Sequence, residues 1–196
     1  MTTTLPTVAI VYHSGYGHTK VLAEAVASGV EADGAATALL VPVDAYEQNI
    51  EALNAADAII FGSPTYMGSV SGPFKTFMDA TSGQWIARKW SGKLAAGFTV
   101  SASRSGDKLG TLMQMAVFAA QHGMIWVGLD LLPGNNSSKG SEDDLNRLGS
   151  FLGVMAQANA DQGSDVVPPD ADRRTAAVLG QRVAGLAGRW ATANAA

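Results

Sequence analysis

Short runs of β-branched and aliphatic residues alternate along the chain with longer, alanine-rich stretches whose apolar positions recur at helical spacing. Residues 7–12 predict a first strand, and residues 18–30 a helix with Val21, Leu22, Ala25, Val26 and Gly29 on its inner face. A second strand is predicted over 38–43, a short helix over 46–56 and a third strand over 58–62. The helix predicted over 73–80 opens with Pro73, whose missing N–H costs nothing in a first turn. A strand over 93–100, a helix over 108–121, a strand over 124–128 and a last helix over 173–190 complete the series. The strands are apolar throughout and separated by helices, the pattern of a parallel sheet covered on both faces. The chain reads as one domain over 1–196, with an irregular excursion at about 133–172 that holds one short helix over 145–158. A connection of that length predicts a ligand-covering or interface element.

Composition removes several function classes. Of 196 residues, 47% are hydrophobic and 15% charged, enough apolar material for a buried core. With 13 basic against 17 acidic residues the formal charge is −4, which leaves no basic footprint for nucleic acid or an anionic membrane. Cysteine is absent, so disulfides, thiolate nucleophiles and thiolate metal sites are excluded. The first residues lack a signal-peptide pattern, and no apolar run approaches the roughly 20 residues of a membrane span. The expectation is a cytoplasmic protein without a membrane span. His13, His18 and His122 show no metal-binding spacing, so no metal site is expected.

In an open parallel sheet, ligands bind beyond the carboxyl ends of the strands, and three strand ends carry candidate chemistry. After the first strand come Ser14, Gly15, Tyr16, Gly17, His18 and Thr19, a tight turn running straight into a helix. Backbone N–H groups and the Ser14 and Thr19 hydroxyls suit a phosphate monoester, and Walker and GxGxxG patterns are missing. The plain alternative is an ordinary turn with Ser and Thr as helix caps. After the third strand, Pro64, Thr65, Tyr66, Met67 and Gly68 place an aromatic and a methionine in a loop of small residues, suited to a flat apolar ligand or to turn packing. After the fourth come Ser101, Ala102, Ser103, Arg104, Ser105 and Gly106; Arg104 either meets a second phosphate or faces solvent.

These residues together resemble the flavodoxin-like NAD(P)H:quinone oxidoreductases, the group typified by the tryptophan-repressor-binding protein, over roughly residues 8–128. The turn at Ser14–Thr19 is similar to that group's Ser-x-Tyr-Gly-His loop. Residues 62–72 resemble its Gly-x-Pro-Thr-x-x-Gly loop, and Phe74 to Asp79, Trp85, 92–95 and His122-Gly123-Met124 fall in step. The fourth-strand loop is poorer in glycine than the family's, and the family's Gly-Gly-x-Pro-Tyr-Gly stretch after strand five is not reproduced at 132–136. The resemblance implies a flavodoxin-like sandwich with a five-stranded parallel sheet of order 2-1-3-4-5. It implies FMN, with its phosphate at Ser14 to Thr19 and its ring between Pro64–Gly68 and Ser101–Gly106. It further implies two-electron transfer from NAD(P)H to a quinone-like acceptor, and a Trp such as Trp85 walling the site at a subunit boundary. His122 is expected either to cap its helix or, as the resemblance implies, to serve as catalytic proton donor beside the flavin.

The chemistry asked of the protein is then position, stacking and charge near the ring. A flavodoxin-type electron carrier and a non-enzymatic FMN-binding assembly or regulatory protein are the rival readings. Exposed apolar matter at Met67, Trp85, Trp90 and the excursion predicts a homodimer or homotetramer. Phe151 and Met155, spaced by four residues, are expected to share one helical face over an acceptor or a neighbouring subunit.

Overall fold

The structure, a computed structural model, describes residues 5–194. Its elements follow the alternation of the sequence: β1 (Thr7–Tyr12), α1 (His18–Glu31), β2 (Thr37–Pro42), two 3₁₀ turns, α2 (Ile50–Ala55), β3 (Ala58–Tyr66) and β4 (Ser69–Val70). Then come α3 (Gly72–Ala80), α4 (Ser82–Ile86), β5 (Leu94–Ser101), α5 (Lys108–Gln121), β6 (Ile125–Trp126), β7 (Val154–Gln157) and α6 (Asp170–Asn194). The sheet order is β2-β1-β3-β5-β6, with β7 also on β5 and the two-residue β4 folded back antiparallel on the end of β3. This is the flavodoxin-like order 2-1-3-4-5, the fourth and fifth places being held by β5 and by β6 with β7.

Alternate residues of each strand serve opposite faces. Val8 and Ile10 of β1, with Ile60 and Phe98, pack under Leu22 and Val26 of α1 and Leu179 and Val183 of α6. Ala9 and Val11, with Ile59 and Phe61, pack under α3, α5 and the buried Trp90. Both faces are covered, which is why the strands show no polar alternation. Helices α1 and α6 touch backbone to backbone, since a Cβ on Gly180 would fall 2.1 Å from the Val26 carbonyl oxygen.

The fifth strand position departs from expectation. The predicted strand at 124–128 contracts to Ile125–Trp126, opposite Leu94 and Ala95 of β5. The upper half of that position is filled by β7, with Val154 opposite Phe98 and Gln157 opposite Ser101. Residues 127–153 are thus inserted within one strand position, and the predicted helix at 145–158 does not form. Trp126 Nε1 donates to the Leu152 carbonyl at 2.8 Å and the Leu129 amide to that of Phe151 at 2.9 Å, so the two ends of the insertion are joined. Inside it, the Asn146 side chain donates to the carbonyls of Leu131 and Ser150 and accepts the Ser150 amide. That local hydrogen bonding competes with a helix and here replaces it. Phe151 is exposed and Met155 lies in β7, so they share no helical face. The helix predicted over 46–56 likewise shrinks to the 3₁₀ turns and Ile50–Ala55.

Candidate functional site

Beyond the carboxyl ends of β1, β3 and β5 lies a crevice of about 630 Å³, lined by Tyr16, His18, Thr19, Pro64, Thr65, Tyr66, Ser101, Ala102, Ala158 and residues 160–163. That volume is within the ordinary range of small-molecule sites. Helix α1 begins at its floor. Gly17, at φ 88°, is the N-cap residue, and no side chain caps from that position. No carboxylate stands in the first turn, so the partial positive charge of the helix end faces the crevice. The Ser14 hydroxyl accepts the Lys20 amide at 3.1 Å and lines a neighbouring cavity, while Thr19 lines the crevice itself. Ser14 and Thr19, alike in sequence, therefore differ in position.

Two tyrosines border the opening. Tyr16 and Tyr66 meet edge to face with ring centroids 6.4 Å apart. A Cβ on Gly15 would stand 2.6 Å from the Tyr66 hydroxyl, so the turn passes close to the tip of that side chain. Burial, with Tyr16 adding to it, raises the Tyr66 pKa, so its phenol stays protonated at neutral pH. Met67, at φ 50°, is fully exposed at the loop tip beside Gly68.

Beneath these loops the polar groups bind one another. Thr65 Oγ1 lies 2.8 Å from both Thr99 Oγ1 of β5 and Thr111 Oγ1 of α5, all three buried. Ser63 accepts the Ser71 amide at 3.0 Å and donates to the Pro64 carbonyl. Ser71 Oγ in turn lies 2.8 Å from His13 Nδ1 and so links the loops after β3 and β1. Burial lowers the His13 pKa.

The loop after β5 enters the crevice only at Ser101 and Ala102. Arg104 points elsewhere, as an ion pair at 2.7 Å with Glu142 of the insertion. The Glu142 carboxyl, hydrogen-bonded by Arg104 and Arg147, is held below the ordinary carboxylate range. A second phosphate has no partner in Arg104 as it stands, because its guanidinium is already neutralised. Ser103, Ser105 and Gly106 form the back of the loop, and Ser101 Oγ donates to the Ser103 carbonyl at 3.1 Å.

His122 is not in the crevice. It follows α5 and precedes β6, at the amino end of the sheet, 5% exposed. Its ring lies 4.5 Å from that of Trp90 and 4.8 Å from that of Phe118. Thr81 spends its one proton on the Met78 carbonyl at 2.7 Å, so His122 Nε2 is the donor to Thr81 Oγ1 at 3.0 Å. The bare Nδ1 has no partner. Burial among rings pushes its pKa down to about 4, and the histidine stays neutral at physiological pH. His122 thus lies in the aromatic core of its own chain and does not line the crevice. Trp90 is likewise fully buried, while Trp85 and Met67 remain exposed.

The fourth wall was missed in the sequence. Residues 158–163 follow the carboxyl end of β7 and reach the turn after β1, where His18 Nε2 donates to the Gln162 carbonyl at 2.9 Å. The Asn-Ala-Asp-Gln-Gly-Ser run at 159–164 is the signal that could have found it, had β7 been recognised as a strand. Among the described residues there is no cluster of three potential metal ligands and no helix long and apolar enough to cross a membrane.

Residues 40–132 match the family described as NADPH-dependent FMN reductase. The chain is 44% identical over 180 residues to flavodoxin FldP of Pseudomonas aeruginosa, covering 89% of this chain and 93% of that protein. It is 34% identical over 202 residues to an NAD(P)H dehydrogenase (quinone) of Archaeoglobus fulgidus, covering 92% and 96%. Among solved structures, the flavodoxin, WrbA-like protein from Agrobacterium tumefaciens superposes with a TM-score of 0.72 at 40% identity, over 94% of this chain and 98% of that one.

Proposed function

The chain belongs to the flavodoxin-like superfamily of FMN reductases and quinone-type NAD(P)H dehydrogenases, and from that premise we propose that it binds one FMN in the crevice and passes two electrons from NAD(P)H to a quinone-like acceptor. The observation that carries this reading is the α1 N-terminus, free of carboxylates and of a capping side chain at Gly17, opening on a crevice edged by Tyr16 and Tyr66. An anionic phosphate suits the helix end, and a flat ring suits the tyrosine-edged slot between Pro64–Gly68 and Ser101–Ala102.

Bound FMN supplies the hydride-accepting and electron-passing chemistry. The protein's part is to bind, orient and exclude water. The amides and hydroxyl at Gly17, His18 and Thr19 hold the phosphate. The buried threonines under Thr65 fix the ring loop, so that it need not reorganise when the ring arrives. Tyr66 stays neutral and adds no charge to the site. Exposed Met67 and Trp85, with Leu109, Met113 and Val117 along α5, support assembly into a dimer or tetramer. A cytoplasmic location completes the proposal.

The 44% identity to a flavodoxin favours one second reading, a carrier that takes electrons from a protein partner. Stopped-flow mixing of the FMN-loaded protein with NADH and NADPH separates the two. Rapid direct bleaching of the flavin, followed by reoxidation on adding a quinone, is expected of the enzyme. Bleaching that is slow with both nicotinamides and rapid with a reductase favours the carrier. Absence of FMN binding at saturating ligand defeats both.

A further inference from the structure

Lys108, the first residue of α5, is fully buried. Its ammonium donates to Ser101 Oγ, the Ser103 carbonyl and the Arg104 carbonyl, each at 2.8 Å. All three acceptors belong to the loop after β5, whose first two residues line the crevice. None is a carboxylate, and among the described residues no carboxylate forms an ion pair with Lys108. Asp172, at the start of α6, favours its charge from a distance, but Asp172 is gripped by Arg147 of the insertion through two hydrogen bonds at 2.7 and 2.9 Å. Arg147 opposes the charge. Of the other charged groups nearby, Arg104 is paired with Glu142, and Asp107 is the adjoining N-cap residue.

This placement is poor for stability. The lysine is buried without a counter-ion, and it stands in the first turn of a helix, where the macrodipole disfavours a cation. Burial, the largest influence, pushes its pKa down to about 8. The carbonyls it serves belong to Ser103 and Arg104, residues otherwise exposed, so the ammonium is what ties this part of the loop to α5. A buried cation that stability disfavours, held by three acceptors of one loop, points to a requirement at the loop it gathers.

We propose that Lys108 is a positioning residue of the crevice, whose ammonium draws Ser101, Ser103 and Arg104 into the loop shape that receives the FMN ring, although the same buried charge destabilises the FMN-free chain. The proposal rests on the reading of the crevice as the FMN site. Because the loop adjoins the ring and not the phosphate, loss of the ammonium weakens FMN and riboflavin by the same factor. Arginine, which keeps charge and donors, substitutes for it.

The test titrates FMN and riboflavin into the apoproteins of wild type, K108M and K108R, and measures the melting temperature of each apoprotein. K108M is expected to bind both flavins about tenfold more weakly while melting at or above the wild-type temperature. K108R is expected to bind within about threefold of wild type. Between pH 7 and pH 9 the wild-type dissociation constant for FMN is expected to rise about fivefold as Lys108 loses its proton, and that of K108R to stay flat. If K108M does not fold, K108R and the wild-type pH series decide alone. Wild-type affinity in K108M, a wild-type dissociation constant unchanged across that pH range, or a K108M loss confined to FMN would overturn the proposal and leave the crevice reading standing. Failure of the wild type to bind FMN overturns both.

Discussion

The two ends of the sheet bury their polar groups in different surroundings. At the carboxyl end, Thr65, Thr99, Thr111, Ser63, Ser71 and Lys108 are buried, and each has a hydrogen-bonding partner. At the amino end, His122 is buried among Trp90, Phe118 and Phe77, with one nitrogen unpartnered. The first arrangement fixes loops that carry little apolar contact of their own. The second holds an aromatic cluster together and tolerates a lost hydrogen bond because the rings around it are tightly packed. On the proposed reading of the crevice, substitutions of the polar residues beneath it are expected to act on ligand affinity, and substitutions in the aromatic cluster on stability.

Trp90→Ala strikes the second end hardest. It removes a fully buried indole and its hydrogen bond to Asn54, and is expected to cost about 3–5 kcal/mol in denaturant unfolding. The flavin affinity of the folded fraction should be unchanged; a loss of affinity in step with stability would show that the two ends are not separable. His122 gives the next effect, through pH. Its folded pKa of about 4 lies below the ordinary 6.5, so as pH falls from 6.5 to 4 the unfolded chain takes up a proton that the folded chain refuses. Stability is complete above pH 6.5 and should fall by on the order of 2–3 kcal/mol across that window. His122→Phe should lack this component in urea titrations at a series of pH values, and its activity profile above pH 6 should match the wild type's.

Two smaller substitutions sharpen the carboxyl end. Thr19→Ala should weaken FMN about tenfold, near 1.5 kcal/mol, and leave riboflavin unchanged, since Thr19 lines the crevice at the helix end. Ser14→Ala should cost about 0.5–1 kcal/mol of stability through the lost bond from the Lys20 amide, and alter FMN and riboflavin equally. Isothermal titration with both ligands distinguishes the two hydroxyls. A selective FMN loss in Ser14→Ala would place that side chain on the phosphate instead.

The layers of the fold were legible because β1, β3 and β5 are continuous apolar runs and α1, α5 and α6 carry helical stripes. The half of the fifth strand position held by β7 was not. Phe151 and Met155 imitate a helical face, and the four residues of β7 are too few for a period to show. The turn at 14–19 and the Pro64–Gly68 loop were legible as strand ends followed by glycine and hydroxyls. The back of the site was not, because long-range partners decided it. Arg104 is the conspicuous cation of its loop in sequence, yet Glu142, thirty-eight positions on, takes it away. Lys108 reads as an ordinary helix start and turns inward because Ser101 and two carbonyls await it. His122 sits in a familiar local sequence, but its place in the sheet is fixed by β6, and that puts it at the far end.

The broken fifth strand also bears on how the protein behaves among its own copies. An exposed strand edge is a template on which another chain can extend the sheet, and long flat edges are the starting points of aggregates. Here one edge is a two-residue and a four-residue segment parted by residues 127–153, whose joined ends stand where a continuous ladder would run. The opposite edge, β2, ends in Pro42, which has no N–H to offer an incoming strand. On the β6 and β7 side an approaching chain meets only two short, separated runs of donors and acceptors, and the insertion thereby doubles as a guard against sheet growth from that side.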